Sequence, residues 1–424
     1  MLNAKITDAY IAILKEELQL ATGCTEPIAI AYCASRLRDI LGAMPERVDA
    51  EVSGNILKNV KSVVVPNTGG LKGIKAAVAV GIVAGETDRI LQVISSVPAE
   101  KHADIKAYLD TVSIDISCPD TPRMLDIRLT GYAGADKAVV HIANNHSNII
   151  YEEKNGDILL QKPLVESAED NLQDKSVLNI EDIVEFANTV DVSRVAETLD
   201  RQINCNSAIA EEGLRGNWGA NIGSVLLKEY GNDIKTEAKA YAAAGSDARM
   251  SGCEMPVTIV SGSGNQGITA SMPVVRYAKH LGATQEQLYR ALLISDLITI
   301  HQKTGIGRLS AYCGAISAGC GAGAGIAYLH GADAKVIAQT VVNAVAILSG
   351  TICDGAKPSC AAKIASAVEA GILGYKMCMN DQQFNGGDGI VGEGVEETIV
   401  NVGRLASEGM RQTDKTILKI MTGK

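Results

Sequence analysis

The spacing of hydrophobic and polar positions divides the chain into two regions with different predicted secondary structure. Between residues 47 and 160, apolar and polar residues alternate in short segments, most clearly at 48–52, 112–116, 125–129 and 138–142. A period of two predicts strands with one buried face. Asn155-Gly156, which separates two further apolar segments, is a typical hairpin turn. The first region therefore predicts a largely antiparallel sheet.

From residue 180 onward this alternation stops, and helix-length segments follow one another, joined by glycine-rich turns. The polar stretch 165–177 marks the boundary between the two regions. We expect an α+β protein with three parts. They are N-terminal helices at 1–45 packed on the C-terminal lobe, a mixed α/β lobe at 46–175, and a mainly α-helical C-terminal lobe at 176–424 that carries the functional site.

The composition shows how such helices pack. Hydrophobic residues make up 46% of the chain but aromatic residues only 4%, and there are 42 glycines, so the core consists of small aliphatic side chains. Segment 311–329 is uncharged and long enough to cross a membrane, but Gly, Ala and Ser predominate in it. Because these residues drive membrane insertion weakly, we expect a buried helix in close contact with its neighbours.

The charge of the chain favours a small-molecule ligand. The formal net charge is −10, with Lys and Arg dispersed along the sequence, which argues against a nucleic-acid or membrane partner. The N-terminal segment lacks the pattern of a signal peptide, and we expect a cytoplasmic protein. Its ten cysteines are then reduced thiols, metal ligands or catalytic groups rather than disulfides. A homodimer is one assembly that such a chain could form.

Three cysteines stand in turns of the second lobe, namely Cys313, Cys353 and Cys360. The segments between the first two predict an antiparallel helix pair, which would bring both turns to the same end. The six residues between Cys353 and Cys360 do not match the CxxC spacing of zinc or dithiol sites. Three thiolates on a four-iron cluster leave one iron open, and an open iron suits lyase chemistry better than electron transfer.

A fourth cysteine, Cys24, lies between Gly23 and Pro27, where we expect one helix to end at Gly23 and the next to begin. Unpaired N–H groups and the helix dipole at such a position favour a thiolate, so we expect the pKa of Cys24 to be lowered. An equally supported alternative is that Cys24 fills a small space between helices.

Two glycine-rich segments precede predicted helices and could hold a carboxylate on backbone N–H groups. The first, at 66–73, contains Asn67, Thr68 and Lys72. The second, at 260–273, interleaves glycines with polar side chains, of which the candidates for binding are Ser261, Ser263, Asn265 and Gln266. The alternative for each segment is a tight turn without a ligand.

Together, the motifs at 23–27, 67–73, 261–267, 307–314 and 353–360 resemble the L-cysteine desulfidase family. This family is related to the iron–sulfur-dependent bacterial L-serine dehydratases, and the resemblance extends over nearly the whole chain. It implies a pyridoxal-independent lyase that converts L-cysteine to pyruvate, ammonia and hydrogen sulfide on a [4Fe-4S] cluster.

The resemblance also implies roles for individual residues. Cys313, Cys353 and Cys360 would be the cluster ligands, and Cys24 would remove the Cα proton or, alternatively, act as a ligand. Arg308 would join the two glycine-rich segments in binding the amino-acid substrate.

Two other functions remain open at this point. An L-serine dehydratase would use the same cluster, but segment 354–358 replaces the Pro-Val-Gly-Gly run typical of those enzymes, which favours the desulfidase. A non-catalytic iron–sulfur sensor or a binding protein with structural thiols is the other alternative. The sequence shows no basic patch or recognition helix of the kind that a DNA-binding sensor would carry.

Overall fold

Two hydrophobic cores organise the protein. The structure is a computed structural model that describes residues 2–121, 123–163, 173–307 and 310–423. One core contains the sheet of the first lobe and the other contains the helices of the second. The predicted α+β architecture, with a largely antiparallel N-terminal sheet and a mainly helical C-terminal lobe, is confirmed.

Seven of the eight strands that the structure describes lie before residue 162, and the eighth lies between two helices of the second lobe. The strands are β1 (Leu20–Thr22), β2 (Arg47–Val52), β3 (Ser113–Ser117), β4 (Asp126–Ala133), β5 (Asp136–Ala143), β6 (Ile149–Lys154), β7 (Asp157–Gln161) and β8 (Pro256–Thr258). The helices are α1 (Ala4–Glu17), α2 (Thr25–Leu41), α3 (Gly54–Val60), α4 (Gly73–Ala84), α5 (Lys101–Thr111), α6 (Ile180–Thr189), α7 (Ala196–Arg215), α8 (Ile222–Tyr230), α9 (Ile234–Met250), α10 (Gly264–Leu281), α11 (Gln285–Ile306), α12 (Gly314–Leu329), α13 (Ala334–Leu348), α14 (Cys360–Cys378), α15 (Val395–Arg404) and α16 (Arg411–Thr422).

A six-stranded sheet in the order β3-β2-β4-β5-β6-β7 forms the first lobe. Only the β2–β3 pair is parallel, because α3, α4 and α5 intervene between these strands; the other pairs are antiparallel. The predicted hairpin turn joins β6 to β7, and Asn155 and Gly156 both adopt positive φ, as a tight hairpin requires. Helix α2 packs on β4 and β5 and is covered in turn by α4.

The second lobe is built around α12, which is buried along almost its entire length. Glycines make this possible: Gly321 lies against the backbone of Ser295 on α11, and Gly323 lies against Gly371 on α14. A side chain at these positions would separate the helices, so the predicted close packing of this segment is confirmed. No helix among the described residues is long and apolar enough to cross a membrane.

A short strand pair joins the two lobes and was not predicted. Strand β1 pairs antiparallel with β8, and the N–H of Ile259 donates to the Gln19 carbonyl at 2.8 Å. The sequence suggested that Gly23 ends a helix; in the structure α1 ends at Glu17 and Gly23 follows β1 instead. Three-residue strands carry too little alternation to be recognised.

The two N-terminal helices belong to different cores. The buried residues of α1 lie in the helical core, whereas those of α2 lie in the core of the sheet. Of the two helices within residues 1–45, α1 thus packs on the C-terminal lobe and α2 on the sheet. Its Ile- and Ala-rich face matches the apolar face of β4 and β5. The domain limits near residues 46 and 176 remain predictions.

Candidate active site

Cys313 and Cys353 are brought together by a short antiparallel bridge. Tyr312 pairs with Ile352, and the N–H of Cys313 donates to the Thr351 carbonyl at 2.9 Å. Because side chains alternate along such a pair, Cys313 and Cys353 lie on the same side of it. The folding back of α12 and α13 thus places two turns, forty positions apart in the sequence, side by side.

Cys360 completes this group as the first residue of α14. Burial, and then the nearby Cys353, raises the pKa of Cys313 to about 12, and Cys360 contributes in the same direction. Burial also raises the pKa of Cys360, again with a contribution from Cys353. These effects indicate that Cys313, Cys353 and Cys360 lie in the same region of the second lobe, and we call the three residues the cysteine cluster.

Two lysines place positive charge beside these thiols. Lys357 and Lys363 both form ion pairs with Asp354, and the Lys363 Nζ to Asp354 Oδ1 distance is 2.6 Å. Although burial acts in the opposite direction, the two ammonium groups lower the pKa of Asp354 to about 2. Lys363 also interacts with Cys313 and Cys360. This charge favours the thiolate forms that metal ligation needs.

The three predicted ligands are thiols, the side chains that hold iron–sulfur clusters in proteins. Among the described residues, no group of three or more His, Cys, Asp or Glu side chains surrounds a common ion position. Cys313, Cys353 and Cys360 are free and half-buried, and Lys363 interacts electrostatically with the first and last of them.

Cys24 lies in the tight connection between β1 and α2, which we call the elbow (residues 23–26). Gly23 has φ +68° and packs directly on Pro66, so a side chain there would be strained and would also clash. Cys24 is the residue that precedes α2, as predicted, and is only 3% exposed. The elbow therefore lies against the first glycine-rich segment, which brings two of the predicted motifs into contact.

The expected lowering of the Cys24 pKa is wrong. Burial raises the pKa of the Cys24 thiol well above its usual value, and the adjacent Glu26 carboxylate acts in the same direction, while Arg249 opposes it. The helix start is present, but desolvation and a neighbouring negative charge outweigh its dipole.

Glu26 was not among the predicted site residues, yet it is the hydrogen-bond partner of Cys24. The Cys24 Sγ lies 3.0 Å from Glu26 Oε2. The other carboxylate oxygen, Oε1, accepts a hydrogen bond of 2.9 Å from Asn59 Nδ2 on α3. Burial raises the pKa of Glu26, but His146, Cys24 and Arg249 outweigh it, so the pKa lies below its usual value. The pair thus consists of a thiol and a carboxylate.

The second glycine-rich segment is shorter than predicted because α10 already begins at Gly264. Ser261 has φ +49° and Ser263 caps the helix by accepting from the Gln266 N–H. Asn265 and Gln266 accordingly lie in the first helical turn rather than in a loop. The Thr25 hydroxyl lies 3.0 Å from the carbonyl oxygen of Gly262, which joins this segment to the elbow.

Arg249 at the end of α9 connects the elbow to α10. Its Nε donates to the Gly23 carbonyl at 3.0 Å and its NH1 donates to Asn265 Oδ1 at 3.1 Å. One residue further along α10, Gln266 packs against Gly314, next to Cys313. A continuous path of contacts therefore runs from the elbow to the start of α12, where the cysteine cluster begins.

Gln266 is the polar group at this junction that lacks a visible partner. The side chain is only 5% exposed, and its Oε1 accepts no hydrogen bond from the described residues. A buried acceptor without a donor is costly, and a ligand that donates a hydrogen bond would remove this cost.

The first glycine-rich segment is largely satisfied by its own turn. Asn67 donates to the Ile94 carbonyl at 2.7 Å, and the Thr68 hydroxyl bonds to the Val65 carbonyl, also at 2.7 Å. Lys72 is exposed at the start of α4. Arg308 lies outside the described residues. The substrate-binding roles of these residues remain predictions.

The protein has a helical lobe with three predicted cysteine ligands, and this lobe meets the α/β lobe beside a buried thiol and carboxylate. Comparison with known sequences identifies the family to which such a protein belongs. The family model for the serine dehydratase alpha chain matches residues 88–419, and the chain belongs to this family. The predicted relationship to serine dehydratases is thereby confirmed. The matched region contains the cysteine cluster and the start of α10 but not the elbow.

Relatives that match almost the whole chain include three UPF0597 proteins. One from Desulfitobacterium hafniense is 58% identical over 412 residues, which covers 97% of this chain and 96% of the relative. One from Treponema denticola is 45% identical over 420 residues, with coverage of 98% and 97%. One from Bacteroides fragilis is 38% identical over 420 residues, again with coverage of 98% and 97%. Their names state no activity.

The residues that sequence reasoning missed differ in how they could have been found. Glu26 carried a signal, since a charged residue two positions after Cys24 at a helix start can reach back to it. The sequence around Asn59 and Arg249 gives no such signal, because each residue lies within an ordinary helix and reaches the site only through tertiary packing.

Proposed function

We propose that this chain is an iron–sulfur-dependent lyase that breaks down L-cysteine to pyruvate, ammonia and hydrogen sulfide. The observation that supports the proposal is the bridge that brings the turns of Cys313 and Cys353 side by side, near Cys360 at the start of α14, in a chain of the serine dehydratase family. Arg249 links the elbow that contains Cys24 to the start of α10, and Gln266 of α10 packs against Gly314 beside Cys313.

Cys313, Cys353 and Cys360 would hold a [4Fe-4S] cluster. With three protein ligands, the cluster keeps one iron free to act as a Lewis acid toward the group that leaves the substrate. The lysines beside these cysteines offset the negative charge of the thiolates. Their ion pairs with Asp354 in turn fix the loop that carries Cys353.

The substrate carboxylate would bind at the start of α10. Backbone N–H groups and the positive end of the helix dipole are available there, and Arg249 adds a full positive charge. Gln266 Oε1 lies in the same turn and would accept a hydrogen bond from the substrate ammonium group. Binding at these two points would orient the Cα–H bond for removal by Cys24.

The choice of cysteine over serine rests on the loop between Cys353 and Cys360. In this chain it contains Asp354, Lys357 and Pro358, and the lysine folds back onto the aspartate. That ion pair occupies the loop where the serine dehydratases carry small residues. L-serine dehydratase activity with the same cluster is the second candidate, favoured by the family match.

Anaerobic reconstitution with iron and sulfide, followed by assays on L-cysteine and L-serine, tests the proposal. We expect about four irons per chain, and release of pyruvate with sulfide from L-cysteine. Release of pyruvate from L-serine alone would assign the second candidate, and failure to take up iron would reject both.

A matched pair of variants tests the ligand assignment. Cys353→Ser should lose iron because one of its three ligands is gone, whereas Cys205→Ser, at a half-buried thiol on α7, should keep it. Equal iron content in the two variants would contradict the assignment.

A further inference from the structure

The thiol of Cys24 and the carboxylate of Glu26 form an enclosed pair. Their side chains approach to 3.0 Å between Sγ and Oε2, and the two residues are 3% and 7% exposed. The geometry fits a thiol that donates its proton toward a carboxylate. Such a carboxylate is a candidate proton acceptor, because it is within hydrogen-bond reach of the proton that must leave.

Surrounding donors hold the Glu26 carboxylate in place. Asn59 Nδ2 donates to Oε1 at 2.9 Å, and the Thr25 hydroxyl lies 3.2 Å from Oε2. Asn59 is itself 7% exposed, and no direct ion pair to Glu26 is present among the described residues. A buried carboxylate is costly to maintain without a cationic partner in contact, and neutral donors satisfy it here without locking it in a salt bridge.

The charged groups that face this pair come from two other elements. His146, 3% exposed in the turn between β5 and β6, and Arg249 at the end of α9 both favour the ionised form of Glu26. Arg249 also favours the thiolate of Cys24, against the effects of burial and of Glu26. These groups favour an ionised Glu26 at rest, and its Oε2 lies 3.0 Å from Cys24 Sγ, so a proton that leaves the thiol has an acceptor within reach.

We propose that Glu26 accepts the thiol proton of Cys24 when substrate binds, so that the two residues work as a proton-relay pair in the elimination reaction. Glu26 acts through Cys24 and is a positioning residue that also holds a proton. This inference rests on the proposed function, since it assumes that Cys24 removes the Cα proton.

The proton transfers balance over one turnover. The Cys24 S–H proton moves to Glu26, and the thiolate so formed takes the Cα proton while the bond from Cβ to the substrate sulfur breaks. The electron pair of that bond leaves with the sulfur as hydrosulfide. Cys24 then gives the proton it received to the hydrosulfide, and Glu26 returns the first proton to Cys24. The pair ends as it began, and no oxidant or reductant is consumed.

The pH dependence of kcat/KM for L-cysteine separates this relay from a merely structural role. In the wild type the acceptor is Glu26, whose pKa lies below its usual value, so activity should stay level as pH falls through neutrality. In Glu26→Gln the buried thiol must lose its proton to water instead. Activity at pH 7 should fall by about 100-fold or more and should rise about tenfold per pH unit on raising the pH.

Two variants serve as references for Glu26→Gln. Glu26→Asp keeps the carboxylate and should retain the level pH profile at a reduced rate, because the shorter side chain reaches Cys24 less well. Glu152→Gln removes another buried carboxylate, paired with Arg36 on α2, and should leave kcat/KM and its pH profile unchanged. A uniform loss in Glu26→Gln with the wild-type pH profile would overturn the relay.

A second measurement does not depend on turnover. The infrared S–H stretch of Cys24, assigned by difference from Cys24→Ala, should lie at lower frequency in the wild type than in Glu26→Gln, because a carboxylate acceptor weakens the S–H bond. If the wild type proves inactive toward L-cysteine while the shift is present, the proposed function fails and the thiol–carboxylate pair stands. An unshifted band would overturn the pair itself.

Discussion

Replacing Arg249 with lysine tests whether the elbow and α10 must be held together. Arg249 is 3% exposed, and its guanidinium donates both to Gly23 and to Asn265. A lysine has a single nitrogen and can make at most one of these contacts in the same geometry. A hydrogen bond from a charged donor contributes about 1.5–3 kcal/mol, so the variant should lose about that much stability.

The same contact positions the start of α10 relative to Cys24, and we therefore expect kcat/KM for L-cysteine to fall together with stability. A loss of about 1.5–3 kcal/mol from the transition state corresponds to a decrease of about 10- to 150-fold. Thermal unfolding and anaerobic kinetics on the reconstituted protein measure the two effects separately.

Arg276→Lys is the matched control. Arg276 joins the same two helices, α9 and α10, through an ion pair with Glu237 at a point nearer the end of α10. The Arg276→Lys variant should lose a comparable amount of stability. Its kcat/KM should change by less than about threefold, because the site is distant from Cys24. Equal losses of kcat/KM in the two variants, or unchanged kinetics in Arg249→Lys, would refute the reasoning.

Three further predictions concern the base, the helix packing and a buried acid. Cys24→Ser should abolish turnover while iron and sulfide content stay at wild-type values; a loss of iron would make Cys24 a ligand. Gly371→Ala should cost about 1–3 kcal/mol, because its methyl group would overlap the Gly319 carbonyl, whereas Gly394→Ala, which faces open space, should cost less in the same urea-unfolding assay. Burial raises the pKa of Asp296 to about 7, so the folded protein favours the protonated carboxyl group. The stability that the protonated group contributes is complete below its ordinary pKa of 3.8 and is lost as the pH rises to about 7. Asp296→Asn should therefore unfold at a higher temperature than the wild type at pH 8 and should lack this pH dependence; identical melting curves at pH 5 and pH 8 for the wild type would contradict this.

The hydrophobic pattern was sufficient for the coarse architecture. Alternation located the sheet, and Asn155-Gly156 located its last hairpin, because a residue pair that tolerates positive φ dictates the turn locally. The small residues of α12 likewise predicted a buried helix, since they allow helix contact that larger side chains prevent. The β1–β8 pair escaped notice because it is short and its partners lie far apart in the chain.

The charge state of Cys24 shows where local reasoning stops. The sequence places this thiol at a helix start, where the dipole favours a thiolate. Burial and the Glu26 carboxylate act more strongly in the other direction, and both depend on what packs over the elbow. Desolvation is a property of the assembled protein, so no local pattern could have given its size.

The sequence by itself therefore determined the element types, the candidate cysteines and the motifs that resemble cysteine desulfidases, because these depend on residue identity and local periodicity. Only the tertiary structure decided that the turns of Cys313 and Cys353 lie side by side and that Arg249 ties the elbow to α10. It alone also decided that Cys24 faces a carboxylate held by Asn59. These contacts join residues from separate helices and from both lobes, and their energies depend on distances and burial that arise only when the chain has folded.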